Sequence, residues 1–364
     1  MKYLFKIDAL SRLDLPGILM LNFGIIGYGK MGQTRHSAIL RTDVGDVSAI
    51  YGYPGDPVPE DKSVASPEDI LANKDIEAVF VCTINSLNKD LTIAALKSGK
   101  HVFCEKPPAF TSAEVEEIRK VEAQSGKVLM YGFNHRHHGA AVKMREVVDE
   151  GELGKVLWMR GRYGKSVDED YLSTWRADPK LSGGGILIDQ GIHMLDLFLY
   201  LGGDFDQVQA MVSHLYWHLP GIEDNVFVQL RNSETGRCAS LHSTMIQWRH
   251  LFALEVFMER GYMVLNGLKT SSNTYGAEQL IIARNRTKAP AASWEQESSL
   301  TYDKDESWDR EARAFADWIQ SGKPGIGSGD SLGALKVMKL VDEIYATERH
   351  VAPQLYSKLN AVTG

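Results

Sequence analysis

Three stretches of the chain carry residue types that could do chemistry. The first, Gly24-Ile25-Ile26-Gly27-Tyr28-Gly29-Lys30-Met31-Gly32, contains the spacing GxGxxG. Gly27 permits a tight turn, Gly29 lets backbone approach a pyrophosphate, and Gly32 lets a helix pack close on a strand with its N-terminus facing the anion. In a chain with 33 glycines the spacing alone is weak. Its place between an apolar strand and a helix, at the head of a βαβ series, makes dinucleotide binding the expected role. An NAD site normally has an acid at the end of the second strand. Here that strand ends Ala49-Ile50-Tyr51-Gly52-Tyr53, Asp56 comes a few residues late, and no arginine stands ready for a 2′-phosphate. NAD and NADP therefore both stay open.

The second stretch, Cys104-Glu105-Lys106-Pro107-Pro108, directly follows a predicted fourth strand. Strand carboxyl ends face the ligand crevice of an open α/β sheet, so Lys106 would aim its ammonium there, although a solitary lysine is more often solvated surface. The third runs Gly183-Gly184-Gly185-Ile186-Leu187-Ile188-Asp189-Gln190-Gly191-Ile192-His193-Met194-Leu195-Asp196. As a helix it puts Asp189, His193 and Asp196 on one face, and Ile188, Ile192, Leu195 and Leu199 on an apolar stripe. Gly184 and Gly185 suggest a close backbone approach just before it. A solvated polar face is the bland alternative, but residues 186–201 are too apolar for a surface helix.

The elements that must position these groups follow two patterns. From Leu21 to about Tyr131, apolar runs at Leu21–Ile26, Val47–Tyr51, Ala78–Val81, His101–Phe103 and Val128–Tyr131 alternate with helical segments. Ser66-Pro67-Glu68-Asp69 and Thr111-Ser112-Ala113-Glu114 read as helix starts, and Gly99 and Gly126 as helix ends. This predicts an α/β, doubly wound parallel sheet of the Rossmann type over residues 20–137. After a helix at His138–Glu150, runs at Val156–Tyr163, Val208–Tyr216, Val226–Leu230, Ser240–Met245, Phe252–Phe257 and Tyr262–Leu265 predict an α+β domain with a large, mostly antiparallel sheet over 138–350. Helices near Asp305–Ser321 and Ser331–Thr347 follow, and the last of these, 331–347, is expected to pack back on the first domain. Residues 1–19 read as an extension and 351–364 as a tail.

The 364 residues are ample for two domains. A net charge of −7 argues against nucleic-acid binding. Three widely spaced cysteines, Cys82, Cys104 and Cys238, fit a reducing compartment. Charges interrupt the N-terminal apolar stretch, and no stretch of membrane-spanning length is present, so a cytoplasmic protein is expected. No metal is expected: His135-Arg136-His137-His138 and the pair His214 and His218 lack the three convergent ligands of a catalytic zinc site. Arg136 or His137 is expected to line the crevice instead. Tyr163-Gly164-Lys165-Ser166 lacks the earlier glycine of a phosphate loop, and no Tyr-x-x-x-Lys dyad of a short-chain dehydrogenase occurs.

From about Leu21 to Arg349 the chain resembles the Gfo/Idh/MocA oxidoreductases. GIIGYGKMG resembles that family's cofactor loop, and Thr83-Ile84-Asn85 its TPN turn, with Ile84 in place of Pro and Asn88 where a His is frequent. Glu105-Lys106-Pro107 matches EKP, Gly132-Phe133-Asn134-His135-Arg136 resembles the lead into the second domain, and Trp175-Arg176 with GGGILIDQGIHMLD matches the substrate-domain signature. The resemblance implies NAD or NADP held by Gly27, Tyr28, Gly29, Lys30, Met31, Gly32, Tyr51, Thr83, Asn85, Glu105 and Lys106. It implies a sugar, nucleotide-sugar or polyol substrate met by Arg136, Tyr163, Trp175, Arg176, Asp189 and His193. Lys106 would contact the reacting hydroxyl, Asp189 would bind substrate or orient the base, and His193 would be the general acid/base. A homodimer or homotetramer is expected by analogy. Ser166–Pro179 and His218–Asp224 are expected substrate loops, with Asp224 either a wall residue or a turn residue. Two alternatives remain on the same fold: a redox-assisted glycosidase, and a non-catalytic sensing regulator, against which the presence of Lys106 and His193 argues.

Overall fold

The computed structural model describes residues 20–284 and 296–351. The extension 1–19 and all but the first residue of the tail 351–364 lie outside the described residues. The first half runs β1 (Leu21–Ile26), α1 (Lys30–Thr42), β2 (Gly45–Tyr51), α2 (Pro67–Ala72), β3 (Ala78–Val81), α3 (Asn85–Lys97), β4 (His101–Glu105), α4 (Ser112–Ser125) and β5 (Leu129–Gly132). The strands form one parallel sheet in the order β2-β1-β3-β4-β5. The order in which strands are added therefore reverses between β1 and β3, and the crevice at their carboxyl ends is where such sheets take ligands. Strands covered by helices on both faces need apolar side chains on both sides, and all four residues of β3, Ala-Val-Phe-Val, are buried. Both predicted helix starts are present, each closed by a capping box, at Ser66 and Thr111, and each box stabilises its helix start by about 1 kcal/mol.

The second half runs α5 (Gly139–Glu150), β6 (Val156–Ser166), α6 (Pro179–Ser182), α7 (Ile192–Gly202), β7 (Gln207–Ser213), β8 (Asn225–Arg231), β9 (Cys238–Thr244), β10 (Ile246–Met258), β11 (Gly261–Asn266), β12 (Glu278–Arg284), β13 (Ser298–Tyr302), α8 (Ser307–Ser321) and α9 (Ser331–Val351). Its sheet has the order β13-β12-β11-β10-β6-β9-β8-β7, antiparallel except for the β6–β9 pair. Strands β12 and β13 are not among the runs named from the sequence. Along β8 burial alternates, with Val226, Val228 and Leu230 inward, because one face is packed and the other is left open. Helix α7 is nearly all buried and packs on β6 and on α9. The apolar composition of 186–201 is thus that of a core helix.

The two carboxy-terminal helices bind the halves together. Phe315 of α8 meets Phe23, Phe80 and Phe103 of the first sheet at centroid distances of 6.5, 5.5 and 5.6 Å. So α8, which sequence order assigns to the second domain, completes the core of the first. Each such buried ring contributes about 1.5–3 kcal/mol. Helix α9 packs on α4 and β5 and also on α7 and β7, so it bridges the halves instead of belonging to one.

Candidate active site

The glycine turn shows three different steric situations. Gly27 has φ +93°, and a Cβ there would lie 2.5 Å from the Cys82 carbonyl oxygen. A Cβ on Gly32 would lie 2.1 Å from the Gly27 carbonyl oxygen, so helix and turn touch through bare backbone. A Cβ on Gly29 would meet nothing within 4 Å. Gly29 is also the N-cap of α1 and offers no side-chain cap to the first N–H groups. An open glycine beside uncapped N–H donors is the cradle a pyrophosphate fits. Tyr28 turns its ring inward, with its hydroxyl 2.6 Å from His36 Nδ1, which leaves only its backbone to the turn. Tyr51, at the end of β2, is half-buried against Tyr53. Asp56 accepts from the Tyr53 N–H at 2.8 Å, closing its own loop.

The groups from the other two stretches meet across a cavity of about 310 Å³, lined among others by Lys30, Met31, Thr83, Asn85, Glu105, Lys106, Tyr163, Trp175, Arg176, Asp189 and His193. Lys106 leaves the end of β4, and its Nζ donates to the Asp189 carbonyl oxygen and lies 3.5 Å from Asp189 Oδ1. Asn88, at the position where a histidine is frequent, holds this loop: its Nδ2 donates to the Glu105 and Pro107 carbonyls at 3.2 and 2.9 Å. Glu105 spends its carboxylate on Arg35, at 2.6 Å, and Arg35 also holds Glu311 at 2.6 Å. The pair of ion pairs ties β4 to α1 and α8. Thr83 donates to Asn88 Oδ1 at 3.2 Å, and Asn85 to the Ser182 carbonyl at 2.8 Å, which joins the halves beneath the cavity.

Asp189 lies in a wide π-type turn, Leu187–Gly191, that leads into α7. The turn is clamped by Glu223, whose carboxylate accepts from the Gly185 and Leu187 N–H groups at 2.7 and 2.8 Å and from the Tyr345 hydroxyl at 2.9 Å. A Cβ on Gly185 would lie 2.1 Å from the Glu223 carbonyl oxygen, which is the close approach its glycines announce. Burial alone would raise the Asp189 carboxyl, but Lys165, Lys106 and Arg176 hold it well below the usual range. His193 stacks on His135 with centroids 3.9 Å apart and meets the edge of Phe133. Its Nδ1 is buried without a hydrogen-bond partner among the described residues. Burial first, then the Lys106 ammonium, pushes this imidazole well below its ordinary value. Burial likewise lowers Lys106, with Asp189 opposing. Tyr163 is buried and hydrogen-bonds His135 Nε2 at 3.0 Å.

Several expectations need correction. Arg136 does not line this cavity. It is buried in a bidentate pair with Asp196 (2.8 and 2.5 Å) and donates to the Ser328 carbonyl at 3.0 Å. His137 goes with it to a separate cavity, whereas Asn134, His135 and His138 face the site. A tight 3-10 turn at Asn134–His137 sends successive side chains in different directions, and its phase is not readable from sequence. Asp196 accordingly does not join Asp189 and His193. Asp224 is no wall residue: fully buried, it accepts from the N–H groups of Leu215, Tyr216 and Trp217 at 2.8, 2.7 and 3.0 Å. The sequence reading also missed Lys165, which lies 3.1 Å from Asp189 Oδ2, and the lining residues Tyr275 and Trp308. Lys165 carried a usable signal, since it shares the inward face of β6 with Tyr163. Tyr275 and Trp308 carried none, because each comes from a turn or helix start remote in sequence.

Comparison with known proteins agrees with this fold. Residues 21–133 match the oxidoreductase family with an NAD-binding Rossmann fold, and 141–264 match the GFO/IDH/MocA C-terminal domain. Over 79% of this chain and 82% of the relative, the sequence is 29% identical to 1,5-anhydro-D-fructose reductase of Ensifer adhaerens. It is 30% identical to levoglucosan dehydrogenase of Pseudarthrobacter phenanthrenivorans, over 53% of this chain and 54% of that one. A levoglucosan dehydrogenase solved with NADH and levoglucosan shares the fold with a TM-score of 0.78, at 23% identity over 91% of this chain and 97% of that one. A UDP-N-acetylglucosamine 3-dehydrogenase from Acidithiobacillus ferrooxidans does so with a TM-score of 0.74, at 17% identity over 90% and 97%. The two matched regions follow one another along the chain as the sheet of the glycine turn and the sheet of the Asp189 cavity do, and the protein belongs to the Gfo/Idh/MocA oxidoreductases.

Proposed function

We propose that this protein is a nicotinamide-dependent dehydrogenase or reductase acting on a carbinol or carbonyl carbon of a sugar-like substrate, with Lys106, Asp189 and His193 as its reactive group. One observation carries the reading: residues from three separate stretches, Lys30–Met31, Lys106 and Asp189–His193, border a single cavity. The named activities of the relatives, on 1,5-anhydro-D-fructose and levoglucosan, support the substrate class. NAD is the proposed cofactor, supported by the match of residues 21–133 to a family with an NAD-binding Rossmann fold; the Tyr51-Gly52-Tyr53 end of β2 offers neither an acid for the ribose nor a cation for a 2′-phosphate.

The bound nicotinamide supplies hydride acceptance or donation; the chain supplies position, charge and a proton path. His193, neutral at physiological pH because burial depresses it, accepts the proton of the reacting hydroxyl in oxidation and returns it in reduction. Lys106 presents positive charge where alkoxide character develops. Asp189 fixes that ammonium through its carbonyl and carboxylate together. Stacking on His135 fixes the imidazole plane.

The test is a panel of sugars and polyols with NAD and NADP, read by NADH or NADPH absorbance. His193→Ala and Lys106→Ala should each lower turnover by about a hundredfold or more, His193→Ala with cofactor affinity nearly intact. Full activity in either variant refutes the assignment. Among the described residues no helix is long and apolar enough to cross a membrane. The three cysteines are unpaired, and a cytoplasmic location is proposed on that ground. The open face of the second sheet presents Trp158 stacked on Phe257, Phe227 stacked on His242, and exposed Met211. A second copy is the proposed cover, as a homodimer or a tetramer built from it, measurable by light scattering after size exclusion.

A further inference from the structure

Asp189 is one anion among three cations. Lys165, Arg176 and Lys106 approach its two carboxylate oxygens at 3.1, 3.4 and 3.5 Å. Their side chains are only 20, 37 and 16% exposed, so water screens them incompletely. The neighbouring acids are occupied elsewhere. Glu105 faces Arg35, which also carries Glu311. Glu223 faces the Gly185 and Leu187 N–H groups and the Tyr345 hydroxyl. Asp305 accepts from the Ser307 backbone and hydroxyl, and Glu278 pairs with His138. Lys30, also on the cavity wall, adds a further cation.

Arg176 is the least satisfied of the three. Only its Nε reaches Asp189, and its two terminal nitrogens make no hydrogen bond among the described residues. The guanidinium carbon lies 4.4 Å from the centroid of the Trp175 ring, which holds the planar fork against the cavity wall. Lys165 is steadied in the same way, 5.7 Å from the ring centroid of Tyr171. Cations gathered in a half-desolvated cavity cost free energy unless an anion joins them, and a free guanidinium fork matches a carboxylate or phosphate with two parallel hydrogen bonds.

We infer that the substrate carries an anionic group, a ring carboxylate or a phosphate ester, and that the Arg176 fork with Lys165 beside it receives that group. The inference rests on the dehydrogenase reading for the reaction, but not for the binding. Binding is therefore measured separately, by thermal shift and calorimetry on the NADH-loaded full chain. The carboxylate probes are D-glucuronate and D-galacturonate, the phosphate probes α-D-glucose 1-phosphate and UDP-glucose, and the neutral controls D-glucose and myo-inositol. At least one anionic sugar should bind about tenfold or more tighter than the neutral ones, and the arm that does so identifies the source of the charge. Its affinity should fall as KCl is raised. Arg176→Gln should remove most of the preference for the charged sugar, Arg176→Lys should restore part of it, and neither should shift NADH affinity.

Equal affinity for charged and neutral sugars overturns the inference. So does absence of binding by every anionic sugar at roughly 10 mM, well above ordinary KM values. Loss of NADH affinity in Arg176→Gln also overturns it, by giving the fork to the cofactor. Charged sugars bound through Arg176 but never oxidised would instead sink the dehydrogenase reading and leave the anion site standing. Oxidation of neutral sugars without preference would do the reverse.

Discussion

Replacing Arg136 by Met separates two accounts of that residue. In the structure its guanidinium is buried, holds Asp196 at 2.8 and 2.5 Å, and stays clear of the Lys106 cavity. Asp196 is itself fully buried. Removing the cation strands a buried carboxylate, a loss of about 3–5 kcal/mol. Spread over the unfolding entropy of a chain this long, that lowers Tm by about 4–7 °C. The sign with pH also follows. Burial already raises the Asp196 carboxyl against the pull of Arg136, and without Arg136 it rises further. Its folded value then stands well above the unfolded one, so stability is retained at low pH and lost as pH rises through the folded value. The Arg136→Met deficit should therefore be larger at pH 8 than at pH 5. The double variant Arg136→Met/Asp196→Leu should recover most of the loss, since a buried pair replaced as a unit costs little. Differential scanning fluorimetry of the four proteins across pH gives the cycle, and steady-state kinetics gives the second readout. A Tm within about 1 °C of wild type together with a raised KM would refute the reasoning and return Arg136 to the substrate crevice.

Two further predictions concern the first domain and the buried histidines. Gly29→Ala meets no neighbour and should leave Tm unchanged while weakening dinucleotide binding, whereas Gly32→Ala, facing the Gly27 carbonyl at 2.1 Å, should lower both; equal behaviour of the two would contradict the steric assignment. Burial pushes His137 down to about 3 and His101 to about 4, and holds His135 and His193 well below the ordinary value. On unfolding these rings take up protons below about pH 6.5, so they make stability fall with acid. Glu223 and Glu311, pushed up to about 7, act in the opposite sense between about pH 4.5 and 7. The histidines outnumber them, and Tm should fall steadily from pH 6.5 to 5; a flat or rising Tm would show that the rings are protonated in the folded protein.

Much of this protein is local and therefore written in its sequence. Strand and helix alternation depends on apolar period, the capping boxes on residues three apart, and the glycine turn on the absence of three side chains. Lys106 and His193, the proposed reactive pair, were legible because short, dense motifs surround them. What the tertiary structure alone decided is which side chains meet. The phase of one 3-10 turn sends His135 to the cavity and Arg136 to Asp196. A π-type turn, clamped from Glu223, sets where Asp189 points. The approach of β6 brings Lys165 to that same carboxylate, and α8 leaves its place in sequence order to fill the first core. These meetings join segments far apart in the chain, so they are fixed by packing and charge balance across the fold and leave no period or spacing to read.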